Sequence, residues 1–182
     1  MTFGFLRRSA NRKLIDRLHG EIVAAARDPV LFTDYGIEDT FEGRFDSVTL
    51  HATLVLRRLR LLPAPAPEIA QELTDALFRH FDIALREMGV GDVSIPKRMK
   101  TLAEAFLGRS KAYDEALRQD GAAIEAALSR NIYASRRGAR RLARYVEAID
   151  AALAAAPLHD FLTGSAAFPR PSSISDSEEA LR

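Results

Sequence analysis

The side chains of this sequence best suited to metal binding or proton transfer are four histidines: His19, His51, His80 and His159. A metal site in a helical protein needs His and carboxylate ligands converging at helical spacing, such as two His four apart or a Glu-x-x-His. Each histidine here falls on a separate predicted element, and none has a second His at i+4 or a Glu-x-x-His around it. No metal is therefore assigned. His51 stands out because Leu50 and Ala52 flank it on the most apolar helix, where a hydrogen-bonded, partly buried imidazole is the plain reading. His51 and His80 have the chemistry to ligate haem, but a lone helical histidine is poor evidence for one. Nucleophilic catalysis has no better support. There is no cysteine, no Gly-x-Ser-x-Gly elbow, and the serines gather near the chain ends. Gly89-Val90-Gly91 is too short for a dinucleotide fingerprint and follows a helix, whereas that motif follows a strand. No catalytic residue and no cofactor are assigned, and the chain reads as a non-enzyme.

Basic residues carry the stronger signal. Between Arg86 and Lys100 a helical pattern stops at Gly89 and Gly91, and Pro96 starts a new helix whose first turns hold Lys97, Arg98 and Lys100. Cations are favoured at helix C-termini; at an N-terminus each costs a few tenths of a kcal/mol, roughly. A partner for these cations is the expected reason for their position. A second group follows. Arg137, Arg140, Arg141 and Arg144 have i, i+3, i+4 and i+7 spacing along one flank of a predicted helix, and no acidic residue is interleaved between Arg130 and Arg144. Two readings stay open for this basic surface. The acidic block Asp28, Asp34, Glu38, Asp39, Glu42 and Asp46 covers it as an internal seam, or it meets lipid headgroups or ribosomal RNA.

The elements that must position these residues are helices. With 182 residues and a formal net charge of +1, the chain is long enough to bury one core without metals or disulfides. Nucleic-acid binding by bulk charge is disfavoured, and no specific nucleic-acid sequence is expected as a partner. No apolar run approaches the roughly 18 residues of a membrane-spanning helix. The start is Arg-rich and acid-poor but lacks the core and cleavage site of a signal peptide, so the cytoplasm is the expected compartment.

Apolar periodicity predicts a first helix through Leu14, Ile15, Leu18, Ile22, Val23 and Ala26, stopped at Asp28-Pro29 and followed by a loop. A second, from about Arg44 to Leu62, is apolar on two faces and so is expected to be central. Pro63, Pro65 and Pro67 end it. A third spans Pro67 to Met88, with Gly89 as its left-handed stop. A fourth begins at Pro96 and runs to Leu117; a fifth covers Gly121 to Ile132, and a sixth Arg136 to Ala155. The expected fold is all-α, a bundle of about six helices. Residues 1–13 form a basic extension, 14–156 the helical domain, and the Pro- and Ser-rich residues 157–182 a mostly disordered tail.

A resemblance then connects these segments. Asp39-Thr40-Phe41-Glu42-Gly43-Arg44-Phe45-Asp46, Leu50-His51, Leu56-Arg57-Arg58-Leu59, Arg86-Glu87-Met88-Gly89-Val90-Gly91-Asp92, Pro96-Lys97-Arg98-Met99-Lys100, Phe106-Leu107-Gly108-Arg109, Ala112-Tyr113-Asp114 and Arg130-Asn131 follow in order. Together they resemble the ubiquinol–cytochrome c chaperone family, over roughly Leu14 to Ala155, and the chain looks like a bacterial-type member. The resemblance implies a helical, non-enzymatic chaperone that attends newly made cytochrome b, or another subunit of the reductase, at the inner membrane. It also implies a possible ribosome contact. A client of that kind needs an apolar groove with a basic rim. The residues expected to form it are His51, Val55, Arg58, Phe81, Lys97, Lys100, Phe106, Arg109 and Tyr113. The alternative is a peripheral lipid-binding protein whose groove takes acyl chains and whose rim takes anionic headgroups, with Phe3, Phe5 and Leu6 adding interfacial contact.

Overall fold

The protein was analysed as a computed structural model that describes residues 3–164 and 168–174, without the side chains of 3–10. Eight α-helices and one short 3-10 turn are present among the described residues, and no strand. They are α1 (Phe3–Ala26), α2 (Pro29–Thr33), α3 (Phe41–Leu61), α4 (Ala66–Glu87), α5 (Ile95–Leu117), α6 (Gly121–Ile132), α7 (Arg140–Ala155) and α8 (Leu158–Thr163). The all-α expectation holds.

Helix α3 is the hub. From Phe45 to Leu56 every residue is buried, and α1, α4, α5, α6 and α7 all pack around it. Ser47, His51 and Thr53 tolerate this burial because each finds a hydrogen-bond partner inside. Ser47 Oγ donates to Ala26 O at 2.8 Å, and Thr53 Oγ1 donates to Thr49 O at 2.7 Å. The helix starts where Thr40 Oγ1 accepts from Gly43 N at 3.1 Å. Gly43 is required there, since a Cβ would stand 2.0 Å from Glu38 O.

Sequence signals set the other ends in the same way. Asp28 Oδ1 accepts from Val30 N and, with Pro29 behind it, opens α2 inside the expected loop. Gly89, at φ 79°, ends α4. Val90 N donates to Leu85 O and Gly89 N to Arg86 O, the paired bonds of a Schellman stop. Asp120 caps α6 through Ala123 N.

One expectation is corrected. The last long helix begins at Arg140, not Arg136, because Ala134 and Ser135 adopt φ 48° and 59°. Ser135 N then donates to Ser129 O, and Ser129 Oγ to Arg137 O, so the chain turns before the helix can start. The described part of the segment after α7 lies against the bundle. Residues Leu158–Thr163 are helical, Arg17 Nη2 donates to Phe161 O at 2.6 Å, and Tyr35 Oη donates to buried Pro171 O at 2.8 Å. Residues 165–167 and 175–182 lie outside the described residues, as do the side chains of Phe3, Phe5 and Leu6.

Candidate functional site

A cleft of about 600 Å³ opens between the start of α3, the end of α4 and the first half of α5. Phe41, Phe45, Leu85, Leu102 and Ala105 give it an apolar lining. Phe45 stands on Phe81, with ring centroids 5.0 Å apart, and Phe78 and Phe106 continue the aromatic stack behind it. The wall is therefore backed by rigid rings rather than loops. Lys97 and Arg98 border the cleft from the first turn of α5, joined by Ser94 and Thr101, with Glu42 on the α3 side.

At its polar end Arg109 Nε stands 2.8 Å from Asp46 Oδ1, and the Arg109 guanidinium lies 5.6 Å from the centre of the Phe45 ring. Asp46 is only 7% exposed. Burial raises its carboxyl to a pKa of about 6; Arg109 opposes the rise and Glu42 adds to it. The cleft thus has an apolar body, an ion pair of buried Asp46 with partly exposed Arg109 at one end, and at its mouth two cations that no described residue pairs. Among the described residues no ion pair engages Lys97 or Arg98. Arg86 is held by Asp82 and Asp92, and Lys100 stands 3.9 Å from Glu104.

Of the residues expected from sequence to form a groove, Lys97 and Arg109 line this cleft, and buried Phe81 and Phe106 back it. Lys100 is exposed outside the lining. Val55 and Tyr113 are buried in the core. Tyr113 Oη has no hydrogen-bond partner among the described residues, and burial holds its hydroxyl well above the usual tyrosine pKa. Arg58 Nη2 donates to Ala156 O at 2.8 Å and ties α3 to the end of α7.

His51 is fully buried. Its Nδ1 is 2.8 Å from Ser47 O, which can only accept, so Nδ1 carries the proton and Nε2 accepts from Tyr145 Oη at 3.0 Å. Burial lowers its pKa to about 4. Both ring nitrogens are engaged and Phe168 packs on the ring at 5.8 Å, so His51 organises the core instead of bordering a groove.

Sequence reasoning does not assign Phe41, Phe45, Asp46, Leu85, Leu102 or Ala105 to the site, whereas Arg98 is marked with Lys97 as a cation in need of a partner. One signal was available: Asp46 puts a carboxylate in the first turns of the most apolar helix, where only a partner makes it tolerable.

The basic surface is divided. Arg140 is exposed on α7, whereas Arg137 precedes the helix and stacks on Tyr133 at 4.9 Å. Arg141 lies over Tyr35 at 4.5 Å, and Arg144 is half-buried. The neighbouring Arg136 pairs with Glu38 of the acidic block. His19 and His80 make a ring contact at 5.1 Å between α1 and α4. Among the described residues no group of three or more potential metal ligands occurs, and no helix is long and apolar enough to cross a membrane.

These features define the class: an all-helical bundle presenting an apolar, cation-bordered cleft. The sequence model of the ubiquinol–cytochrome c chaperone family matches residues 33–168, and the chain belongs to that family. Its fold is similar to the crystal structure of the Cbp3 homolog from Brucella abortus, with a TM-score of 0.86 and 34% sequence identity. That match covers 96% of this chain and all of the other. Comparison with curated proteins finds no match.

Proposed function

We propose that the protein is a binding chaperone in assembly of the ubiquinol–cytochrome c reductase, holding newly made cytochrome b at the inner membrane in the cleft between α3 and α5. Family membership supports the chaperone role in reductase assembly and implies a binding protein rather than an enzyme. The finer reading rests on one observation: an apolar cleft of about 600 Å³ whose mouth carries two cations without an ion-pair partner. A client helix needs apolar surface to shield it and cations to meet the acidic or phosphate-bearing surroundings of its insertion site. Phe45, Phe81 and Phe106 back the cleft with packed aromatic rings. A photo-crosslinking amino acid at Leu102, inside the cleft, should capture nascent cytochrome b, while one at Leu61, exposed at the far end of α3, should not. Equal capture from both positions, or none from Leu102, contradicts the reading.

A second reading keeps the same cleft and fills it with acyl chains, the anionic headgroup resting on Lys97 and Arg98. The unpaired state of those two cations favours it. Co-purifying lipid, displaced when Leu102 is replaced by a charged residue, supports this reading; a lipid-free cleft excludes it. The exposed Arg140 end of α7 is the surface proposed for a ribosome contact.

A further inference from the structure

The turn between α4 and α5 is built unlike the other connections. Val93 is 97% exposed and Met88 is 55% exposed, so two large apolar side chains stand in water within six residues. Gly89 and Gly91 separate them, and nothing in the bundle lies within contact distance of a Cβ at either glycine. The backbone around them is nevertheless held by the Schellman bonds at Val90 and Gly89 and by Ser94 N donating to Gly91 O at 2.8 Å. The tip is exposed, apolar and fixed in shape. Immediately after it Lys97 and Arg98 rise from the start of α5 without ion-pair partners among the described residues, and Lys100 follows one turn on, 3.9 Å from Glu104. From Arg86 to Lys100 the segment has four cations against two carboxylates, and one of those carboxylates, Asp92, is bound to Arg86.

We infer that this turn is a membrane-docking element: Met88 and Val93 enter the headgroup region of an anionic bilayer while Lys97, Arg98 and Lys100 bind its phosphates. Fixed apolar side chains beside unpaired cations are complementary to a surface that is apolar below and negative above. Cations at a helix N-terminus are held against the macrodipole in water, and a layer of phosphates reverses that cost. Because Leu85, Ser94, Lys97 and Arg98 also border the cleft, docking by the turn sets the cleft's mouth at the bilayer interface. This last step rests on the proposed client reading; the docking itself does not.

The sequence contains no tryptophan, so Val93→Trp in the full chain introduces a single fluorophore at the tip without disturbing any packed residue. With vesicles of phosphatidylcholine containing phosphatidylglycerol, its emission should move to shorter wavelength and be quenched by lipids brominated on the acyl chain. Pure phosphatidylcholine should give neither effect. Adding Lys97→Gln and Arg98→Gln should weaken partitioning by about 25-fold, taking roughly fivefold per cation (about 1 kcal/mol). Leu61→Trp, exposed on the opposite end of α3, is the control and should not shift. No shift at Val93→Trp, an equal shift at Leu61→Trp, or a shift with cytochrome b segments but not with lipid overturns the inference. The crosslinking test at Leu102 reads the client separately, so either proposal can fail while the other stands.

Discussion

Replacing Asp46 with asparagine tests the energetics of the cleft directly. In the folded protein the Asp46 carboxyl has a pKa of about 6, raised from 3.8 chiefly by burial. In the unfolded chain it ionises near 3.8, so between these values the folded state holds the extra proton. Stability from this group is complete below pH 3.8, declines as pH rises through 6, and is flat above. The difference of about two pKa units corresponds to about 3 kcal/mol lost at pH 7.5. His51 acts in the opposite sense. Its imidazole is held down to about 4, so its contribution is present above 6.5 and is lost as pH falls from 6.5 to 4. The two partly cancel in the native protein. In Asp46→Asn only the Asp46 part is removed. Arg109 keeps its charge throughout the range, so any offset from its lost partner is the same at both pH values. Urea unfolding of both proteins at pH 4 and pH 7.5 gives the needed quantity. The stability gained from pH 4 to pH 7.5 should be about 2.5 kcal/mol greater in Asp46→Asn, since the unfolded carboxyl is already partly ionised at pH 4. Equal gains in the two proteins refute the reasoning, because Arg109 would then offset the whole cost of burying the charge.

Three other outcomes follow from the same geometry. Gly43→Ala should destabilise by at least about 2 kcal/mol, despite the helical advantage of alanine, because its Cβ would overlap Glu38 O; a raised melting temperature contradicts this. Arg57 joins α3 to α5 and α7 through Asp114 Oδ1 at 3.0 Å and Asp150 Oδ1 at 2.6 Å. At about one-fifth exposure its replacement by alanine should cost about 2 kcal/mol, and a double-mutant cycle with Asp150→Asn should show coupling. The His51 ring resonances in NMR should not titrate from pH 8 down to pH 5, and Tyr145→Phe, which removes the donor to Nε2, should raise that pKa.

Much of the bundle could be read from local chemistry. Helical periodicity located α3 at the centre, Gly89 stopped α4 and Pro96 opened the next helix, because caps and apolar stripes act within a few residues of themselves. The sequence also brought out the family, the anomalous cations Lys97 and Arg98, and His51 as an imidazole inside an apolar helix. Local chemistry did not show that Ala134 and Ser135 turn left-handed and delay α7 to Arg140, since neither residue favours that conformation by itself. Nor did it show that Pro171 and Phe168 dock, because the docking contacts come from Tyr35 and His51, more than a hundred residues away. The cleft was decided at the same distance. Helical spacing shows which side chains share a face, and so marked Lys97, Phe106 and Arg109. Whether that face is covered depends on how α3, α4 and α5 meet. Packing turned His51, Val55 and Tyr113 inward, and left Phe41, Leu102 and Ala105 lining open space above the pair of buried Asp46 and partly exposed Arg109.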